Sequence, residues 1–359
     1  MNFYIHVPFC ASKCGYCAFY SESGVNGALM DRYLDKLSQT LRALPDKCET
    51  IYIGGGTPTL FDLERLKRFT ALVFERLSPG SDTEISIEAN PETLDAEKVA
   101  FLRQYYTRLS LGVQSFDPGS RERIGRNCSQ AKLERAIALV QEAEFPHWNC
   151  DLIYSLPEQS RKMWENDLHL AAQTGVDHIS CYALTPEENA RLGAEFDEDD
   201  ERETEYYFLA QQVLSQYGIE RYEISNYAKS GGACRHNVNV WRGGLLRGFG
   251  PSAAGFDGEK RMIEPESLAL WLADVPAELD EIPLSARLNE IFAVNLRTAC
   301  GWTPELWEQV PNADSWEARR EIAGKLQKIF PEYLLNEQKR IKLTENGLLF
   351  WNTIAQELF

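Results

Sequence analysis

Cys10, Cys14 and Cys17 fall within eight residues, at spacings of four and three, in the run Pro8-Phe9-Cys10-Ala11-Ser12-Lys13-Cys14-Gly15-Tyr16-Cys17. Three thiolates so close in sequence can wrap one side of a metal centre. Zinc is one reading, but a structural zinc site wants a further ligand, and no Cys or His stands at a suitable short spacing. His6, four residues upstream of Cys10, is expected to face along its strand. A cubane iron–sulfur cluster is the other reading, and it holds one more iron than the triplet has thiols. That iron is open to a chelating amino acid. The amine and carboxylate of S-adenosylmethionine form such a chelate, which puts its sulfonium where an electron from the cluster can break a C–S bond and release a deoxyadenosyl radical.

A triplet of this kind does chemistry only if a rigid element presents it. The run follows a short β-rich stretch, and from there to about Ala183 such stretches alternate with amphipathic helical ones. Strands are expected at 3–6, 50–53, 84–88, 108–112, 149–153 and 178–183, and helices near 30–44, 63–77, 95–105, 130–142 and 162–173. Six βα units favour an open, partial barrel over a closed eight-fold one, with a doubly wound sheet as the competing α/β architecture. After Ala183 an acidic stretch, 195–205, reads as the solvated start of a helix running to about Tyr217. A short strand follows at 222–224. The Gly-rich segments 231–232 and 243–258 read as loops, and the pattern from about Glu264 is helical. Two short strands, 333–335 and 341–343, precede a helix over 344–359 with Thr344 as N-cap, which suggests a small winged-helix-like C-terminal unit. The expected division is a barrel over 1–185, a barrel extension and linker over 186–262, and a helical domain over 263–359.

The chain has 359 residues, 37 Lys plus Arg and 54 Asp plus Glu, for a net charge of −17. Such a charge repels phosphodiester backbones, so no nucleic-acid partner is expected. The opening MNFYIHVPFC has neither a basic n-region nor a long apolar h-region, and a cytoplasmic location is expected. Nine cysteines, an odd number without a secretion signal, argue for reduced thiols. Cys48, Cys128, Cys150, Cys181, Cys234 and Cys300 read as core fillers.

The triplet and its surroundings resemble the radical SAM superfamily. Tyr4-Ile5-His6-Val7-Pro8-Phe9-Cys10 and Gly54-Gly55-Gly56-Thr57-Pro58-Thr59 are similar to the subfamily of oxygen-independent coproporphyrinogen III oxidase and its haem-chaperone relatives. So are Arg108-Leu109-Ser110-Leu111-Gly112-Val113-Gln114-Ser115-Phe116, Asp151-Leu152-Ile153-Tyr154-Ser155-Leu156-Pro157 and Cys234-Arg235-His236-Asn237. The resemblance implies a partial (β/α)6 barrel, a [4Fe–4S] cluster on Cys10, Cys14 and Cys17, and S-adenosylmethionine on its open iron. Tyr4, Tyr16, Gly55, Gly56, Thr57, Glu88, Gln114, Arg126, Asp151 and Ala183 match positions that contact S-adenosylmethionine in the oxidase, some of them through a second molecule. Their chemistry suits that role. Glycines let a backbone approach a ligand, carboxylates accept from an amine or ribose hydroxyls, and an arginine fork matches a carboxylate. Taken singly, the triple glycine could be a tight turn and each charged group a barrel-rim ion pair.

Two departures from the oxidase favour the haem-chaperone branch: Phe19 stands where the oxidase has a further cysteine, and only Met1, Asn2 and Phe3 precede Tyr4. That branch implies haem as cargo, a haem-acceptor protein, a reductant protein and transient contact with a membrane protein. Oxidative decarboxylation of coproporphyrinogen III, or another radical SAM reaction, is the enzyme alternative. His236-Asn237-Val238-Asn239-Val240-Trp241 resembles the branch's HNxxYW signature, with Val240 in place of Tyr, and makes His236 the candidate axial ligand of haem iron.

Overall fold

The computed structural model describes residues 1–41, 48–185 and 199–359. Six parallel strands lie side by side in chain order: β1 (Asn2–Val7), β2 (Thr50–Gly55), β3 (Glu84–Ala89), β4 (Arg108–Gln114), β5 (His147–Tyr154) and β6 (His178–Ala183). This order decides between the two expected architectures. A doubly wound sheet reverses direction at a switch point, whereas here each new strand joins the same edge, as in a barrel wall. The helices between them are α1 (Gly27–Thr40), α2 (Leu63–Leu77), α3 (Ala96–Tyr105), α4 (Pro118–Arg123), α5 (Gln130–Ala143) and α6 (Arg161–Gln173). Most start on a side-chain cap, such as Asp62 accepting from Arg65 N at the head of α2. Residues 42–47, where α1 was expected to end, lie outside the described residues.

Alternation along the strands separates two environments. Phe3, Ile5 and Val7, Ile51 and Ile53, Ile85 and Ile87, and Leu109, Leu111 and Val113 are buried in one core that the helices cover. The intervening positions carry Tyr4, Thr50, Tyr52, Ser86, Glu88, Ser110, Asn149, Asp151, His178 and Ser180. One face of the wall is therefore oil and the other a polar chamber.

The sheet continues past both edges of the barrel. Beyond β6 lie β7 (Glu220–Arg221) and β8 (Asn226–Ala228); the expected strand at 222–224 is instead the turn between them, closed by Tyr222 N donating to Asn226 O. On the other side β9 (Leu246–Phe249) runs parallel to β1, followed by β10 (Ala254–Phe256), β11 (Lys260–Ile263) and β12 (Glu278–Glu281). Segment 243–258 is thus not a loop, and 264 onward is not all helix. Its glycines serve close backbone approach: a Cβ on Gly248 would collide with the Ala254 carbonyl, and one on Gly250 with the His6 carbonyl. Helix α7 (Asp200–Ser215) begins on the Asp199 cap, inside the acidic stretch; 195–198 lie outside the described residues. Helix α8 (Arg235–Trp241) leads from β8 into β9.

The first core still includes Leu268 and Trp271 of α9 (Leu268–Leu272), and a second begins at Leu288 in α10 (Leu284–Asn295), so the cores part later than residue 263. Trp302 and Trp307 meet edge-to-face at 5.0 Å in the second core, with Phe292 stacked on Trp302. Around them lie helices and one hairpin, Leu334–Glu337 with Arg340–Leu343. Thr344 caps the following helix by accepting from Gly347 N, and that helix breaks at Phe350 rather than running through. Trp302→Ala is expected to cost about 3–5 kcal/mol, from lost transfer energy and a residual cavity, read by urea unfolding of the full chain. A cost below ~1 kcal/mol would show that these tryptophans do not hold the unit together. Among the described residues no helix is long and apolar enough to cross a membrane.

Candidate functional site

At the C-terminal ends of the strands the chain leaves β1 through Phe9–Cys10, which pairs with Glu22–Ser23 and so pins both ends of the cysteine loop. Within that loop Cys17 N donates to Cys14 O, and Gly15 N to Ile124 O. The Cys17 thiol is pushed up by burial first, with the Phe19 backbone and Lys13 opposing and the neighbouring Cys14 and Cys10 raising it further. The three thiols therefore lie within one electrostatic neighbourhood. Cys10, Cys14 and Cys17 are half-buried, whereas Cys48, Cys128, Cys150, Cys181 and Cys234 are core residues as expected; Cys300 is half-buried. Among the described residues no three Cys, His, Asp or Glu close round a single ion. Three half-buried thiols with a guanidinium beside one of them, Arg126 Nη1 donating to Cys14 Sγ at 3.8 Å, fit a larger, negatively charged sulfur-bound centre better than a tetrahedral ion.

The Gly54-Gly55-Gly56 turn is a cradle that no side chain can enter. A Cβ on Gly56 would stand 2.6 Å from Phe9 O, one on Gly54 2.6 Å from the Glu88 carboxyl, and one on Gly55 inside the His6 ring. Gly55 also has φ +101°, open only to glycine without strain. Gly55→Ala is expected to destabilise the fold by about 1–3 kcal/mol and to displace His6, lowering the thermal midpoint along with ligand affinity. A midpoint equal to wild type would overturn this. His6 does not face along the strand as expected: its ring points inward, with Nδ1 at 3.0 Å from Tyr4 Oη and Nε2 at 2.9 Å from Tyr20 O.

Glu88 and Asp151 lie on the polar face of the wall, near enough for the charge of Asp151 to act on Glu88. Tyr52 donates to Glu88 Oε1 at 3.0 Å and Gly55 N to Oε2 at 3.0 Å. Ser110 and Asn149 donate to the two oxygens of Asp151, at 2.8 and 2.7 Å. Burial, and after it the charge of Asp151, push the Glu88 carboxyl up to about 7 against the Tyr52 and Gly55 hydrogen bonds. Burial also raises Asp151, with Ser110, Asn149 and Ser180 opposing. Among the described residues neither carboxylate forms an ion pair within 4 Å, so both keep the chemistry to accept a cation. Tyr182, on a barrel strand yet 43% exposed, shows that the space beside them is open.

The remaining expected residues divide. Thr57 accepts from Asn90 Nδ2 and lies 3.7 Å from Cys10 Sγ, tying the glycine turn to the cysteine loop. Arg126 uses Nη2 on Gly112 O and Asn90 Oδ1, at 2.6 and 2.7 Å, so its fork is partly occupied by the end of β4. Gln114 sits at φ +69° beyond the bulge in that strand. Tyr16 lies against Arg126, which opposes the rise that burial imposes on its hydroxyl. The Ala183 methyl packs on the main core, leaving only its backbone for the chamber. Tyr52, Ser110, Asn149 and Tyr182 line the chamber and were not singled out, although the same period-two alternation that marks the strands would have found them.

His236 is far from this rim. It lies on α8 at the N-terminal ends of the strands, 6% exposed, with Nδ1 at 2.8 Å from Thr50 Oγ1. Burial pushes its imidazole down to about 4. Cys234 is buried beside it, its thiol against Glu84, which pairs with Arg108.

The Radical SAM superfamily model matches residues 4–171. Among curated proteins, the heme chaperone HemW of Mycobacterium tuberculosis is 38% identical over 376 residues, covering 99% of this chain and 94% of that protein. The heme chaperone HemW of Bacillus subtilis is 30% identical over 381 residues, covering 98% and 97%. Among solved structures, coproporphyrinogen III oxidase (HemN) of Escherichia coli, a radical SAM enzyme, superposes with a TM-score of 0.85 at 20% identity, over 99% of this chain and 89% of that one.

Proposed function

Because this chain belongs to the radical SAM superfamily, and within it to the family of the heme chaperone HemW, we propose that it binds haem and passes it to an acceptor protein. Its scaffold would hold a [4Fe–4S] cluster and S-adenosylmethionine. The observation that carries the reading is full-length kinship to the named haem chaperones at up to 38% identity, against 20% to the structurally similar oxidase. Cys10, Cys14 and Cys17 would hold the cluster, with Arg126 balancing its charge through Cys14. When bound, cluster and cofactor together supply reductive cleavage of a C–S bond. The residues of the chain orient and exclude. The Gly54–Gly56 turn offers backbone groups to the methionyl end, and Glu88 and Asp151 attract the ammonium and sulfonium into the chamber. Thr57 and Asn90 keep the turn and the cysteine loop in register.

Phe19 is 67% exposed at the rim, where the oxidase-like sequence would carry a further thiol. An exposed aromatic there suits contact with an apolar cargo or partner better than metal ligation. The remaining proposals follow from the family and the charge: a reductant protein as electron source, a cytoplasmic location, transient contact with a membrane-protein acceptor, and no nucleic-acid partner, since −17 opposes one.

The barrel architecture shared with the oxidase keeps one rival, anaerobic decarboxylation of coproporphyrinogen III. One experiment separates them. Anaerobically reconstituted protein, given reductant, S-adenosylmethionine, coproporphyrinogen III and a one-electron acceptor for the electron left when CO2 departs, is expected to release no protoporphyrinogen, while haem titration gives a saturable Soret band that moves to an added apo-haemoprotein. Turnover of the porphyrinogen would replace the carrier with the rival, and haem that stays bound when the acceptor is added would remove transfer from the reading.

A further inference from the structure

The segment that resembles a haem signature is built as the floor of the chamber. One path starts at His236. Thr50 Oγ1 donates to Asn2 Oδ1 at 2.8 Å, so the 2.8 Å contact with His236 is made by the Nδ1 proton donating to Thr50. The His236 backbone N–H donates to Glu84 Oε1 at 3.0 Å, fixing the helix under β3. Its ring lies on Tyr52, centroids 5.2 Å apart, and Tyr52 is the residue that donates to Glu88. A second path starts at Trp241, whose ring meets Tyr222 at 6.3 Å. The Tyr222 hydroxyl accepts from Cys234 N at 3.3 Å and so donates to His178 Nε2 at 2.8 Å. His178 Nδ1 then donates to Asn149 Oδ1 at 2.7 Å, and Asn149 Nδ2 to Asp151. Both chamber carboxylates are thus held from below by the same seven-residue helix.

We propose that residues 234–241 position Glu88 and Asp151, and that His236 is a positioning residue of the cofactor chamber, not the axial ligand of haem. An axial ligand must offer its lone pair to the centre of a wide, flat macrocycle. His236 is buried between Tyr52, Thr50 and Glu84, where such a disc has no approach without unseating α8. What the ring does instead is steric and directional. It sets the Tyr52 plane, and Tyr52 on Oε1 together with the Gly55 N–H on Oε2 fixes the Glu88 carboxyl, so that each oxygen presents its remaining lone pair to a ligand in one orientation. The inference rests on the chamber being the S-adenosylmethionine site, and it does not require haem binding.

The test uses full-length, anaerobically reconstituted protein. Binding of S-adenosylmethionine is read from its effect on the electron paramagnetic resonance spectrum of the reduced cluster, and haem binding from the Soret band. His236→Ala is expected to weaken S-adenosylmethionine about tenfold, with the Soret band unchanged. His236→Asn, whose amide N–H can replace the Nδ1 donor, is expected to recover to within about threefold of wild type. Thr50→Val, which removes the acceptor and leaves the helix intact, should lower affinity in the same direction. Near wild-type S-adenosylmethionine affinity in both His236→Ala and Thr50→Val, or loss of the Soret band in His236→Asn, would overturn the proposal. Should His236→Ala fail to fold, Thr50→Val and His236→Asn decide alone. No Soret band in wild type removes the haem-carrier reading and leaves this one standing. No effect of S-adenosylmethionine on the wild-type cluster removes the chamber reading, and this proposal with it.

Discussion

Cys14→Ser protein, reconstituted anaerobically with iron and sulfide, is expected to fall from about four of each per chain to below about one, with its far-UV circular dichroism unchanged. Cys14 is the thiol on which the site converges: it takes the Arg126 hydrogen bond, and its carbonyl holds Cys17 N. A serine keeps the volume. Its hydroxyl ionises far less readily than a thiol and is a poor ligand for iron in a sulfide-bridged cluster. The backbone pairing of Phe9–Cys10 with Glu22–Ser23 does not depend on that atom, so the fold should persist. Cys300→Ser is the control, because Cys300 sits outside the first core beside Thr298 and Arg242 and should leave the iron content as it was. Stoichiometric iron retained by Cys14→Ser, or stable zinc in the wild type, would end the cluster reading.

Glu88→Gln is expected to weaken S-adenosylmethionine by about 2 kcal/mol, roughly thirtyfold, the range for losing a charged acceptor in a desolvated site. The larger signature is in the pH profile. Burial and the Asp151 charge hold Glu88 at about 7, so below that pH the free protein carries a proton where a cation must bind. Binding then releases that proton, and affinity should fall by up to about tenfold per pH unit as the pH drops below 7, levelling off above it. The same shift acts on stability with a definite sign. A carboxyl whose folded value is raised keeps its proton more tightly in the folded state, so the ligand-free chain loses stability as pH rises from the ordinary carboxylate value of 4.5 through about 7. Glu88→Gln should flatten both dependences. Isothermal titration across pH 5.5–8.5 checks the first and urea unfolding of ligand-free protein the second; a wild-type affinity independent of pH would mean that Glu88 does not meet the cation.

Local patterns carried a large part of the architecture. The helix at 63–77 and the strand at 178–183 have the bounds expected from periodicity, because α2 alternates on the helical repeat against a single core and β6 is flanked by turn signals. The cysteine loop was equally legible, since its chemistry depends on the spacing of neighbours in the chain. β9 and β10 were hidden because glycines that permit close backbone approach look, in one dimension, like a loop. The break at Phe350 was hidden too: its ring stacks on Tyr333 at 4.6 Å, a contact set by the hairpin.

The type and order of the six βα units, the three thiols at the end of the first strand, and the family were determined by the sequence alone, because each depends on short-range spacing. Tertiary structure decided the order of strands across the sheet, the nearness of the Asp151 charge to Glu88 and the depth of His236. These are properties of residues distant in the chain brought together. Register and burial, not residue type, set a carboxyl's charge and turn a histidine that spacing marks as a ligand into a buried support.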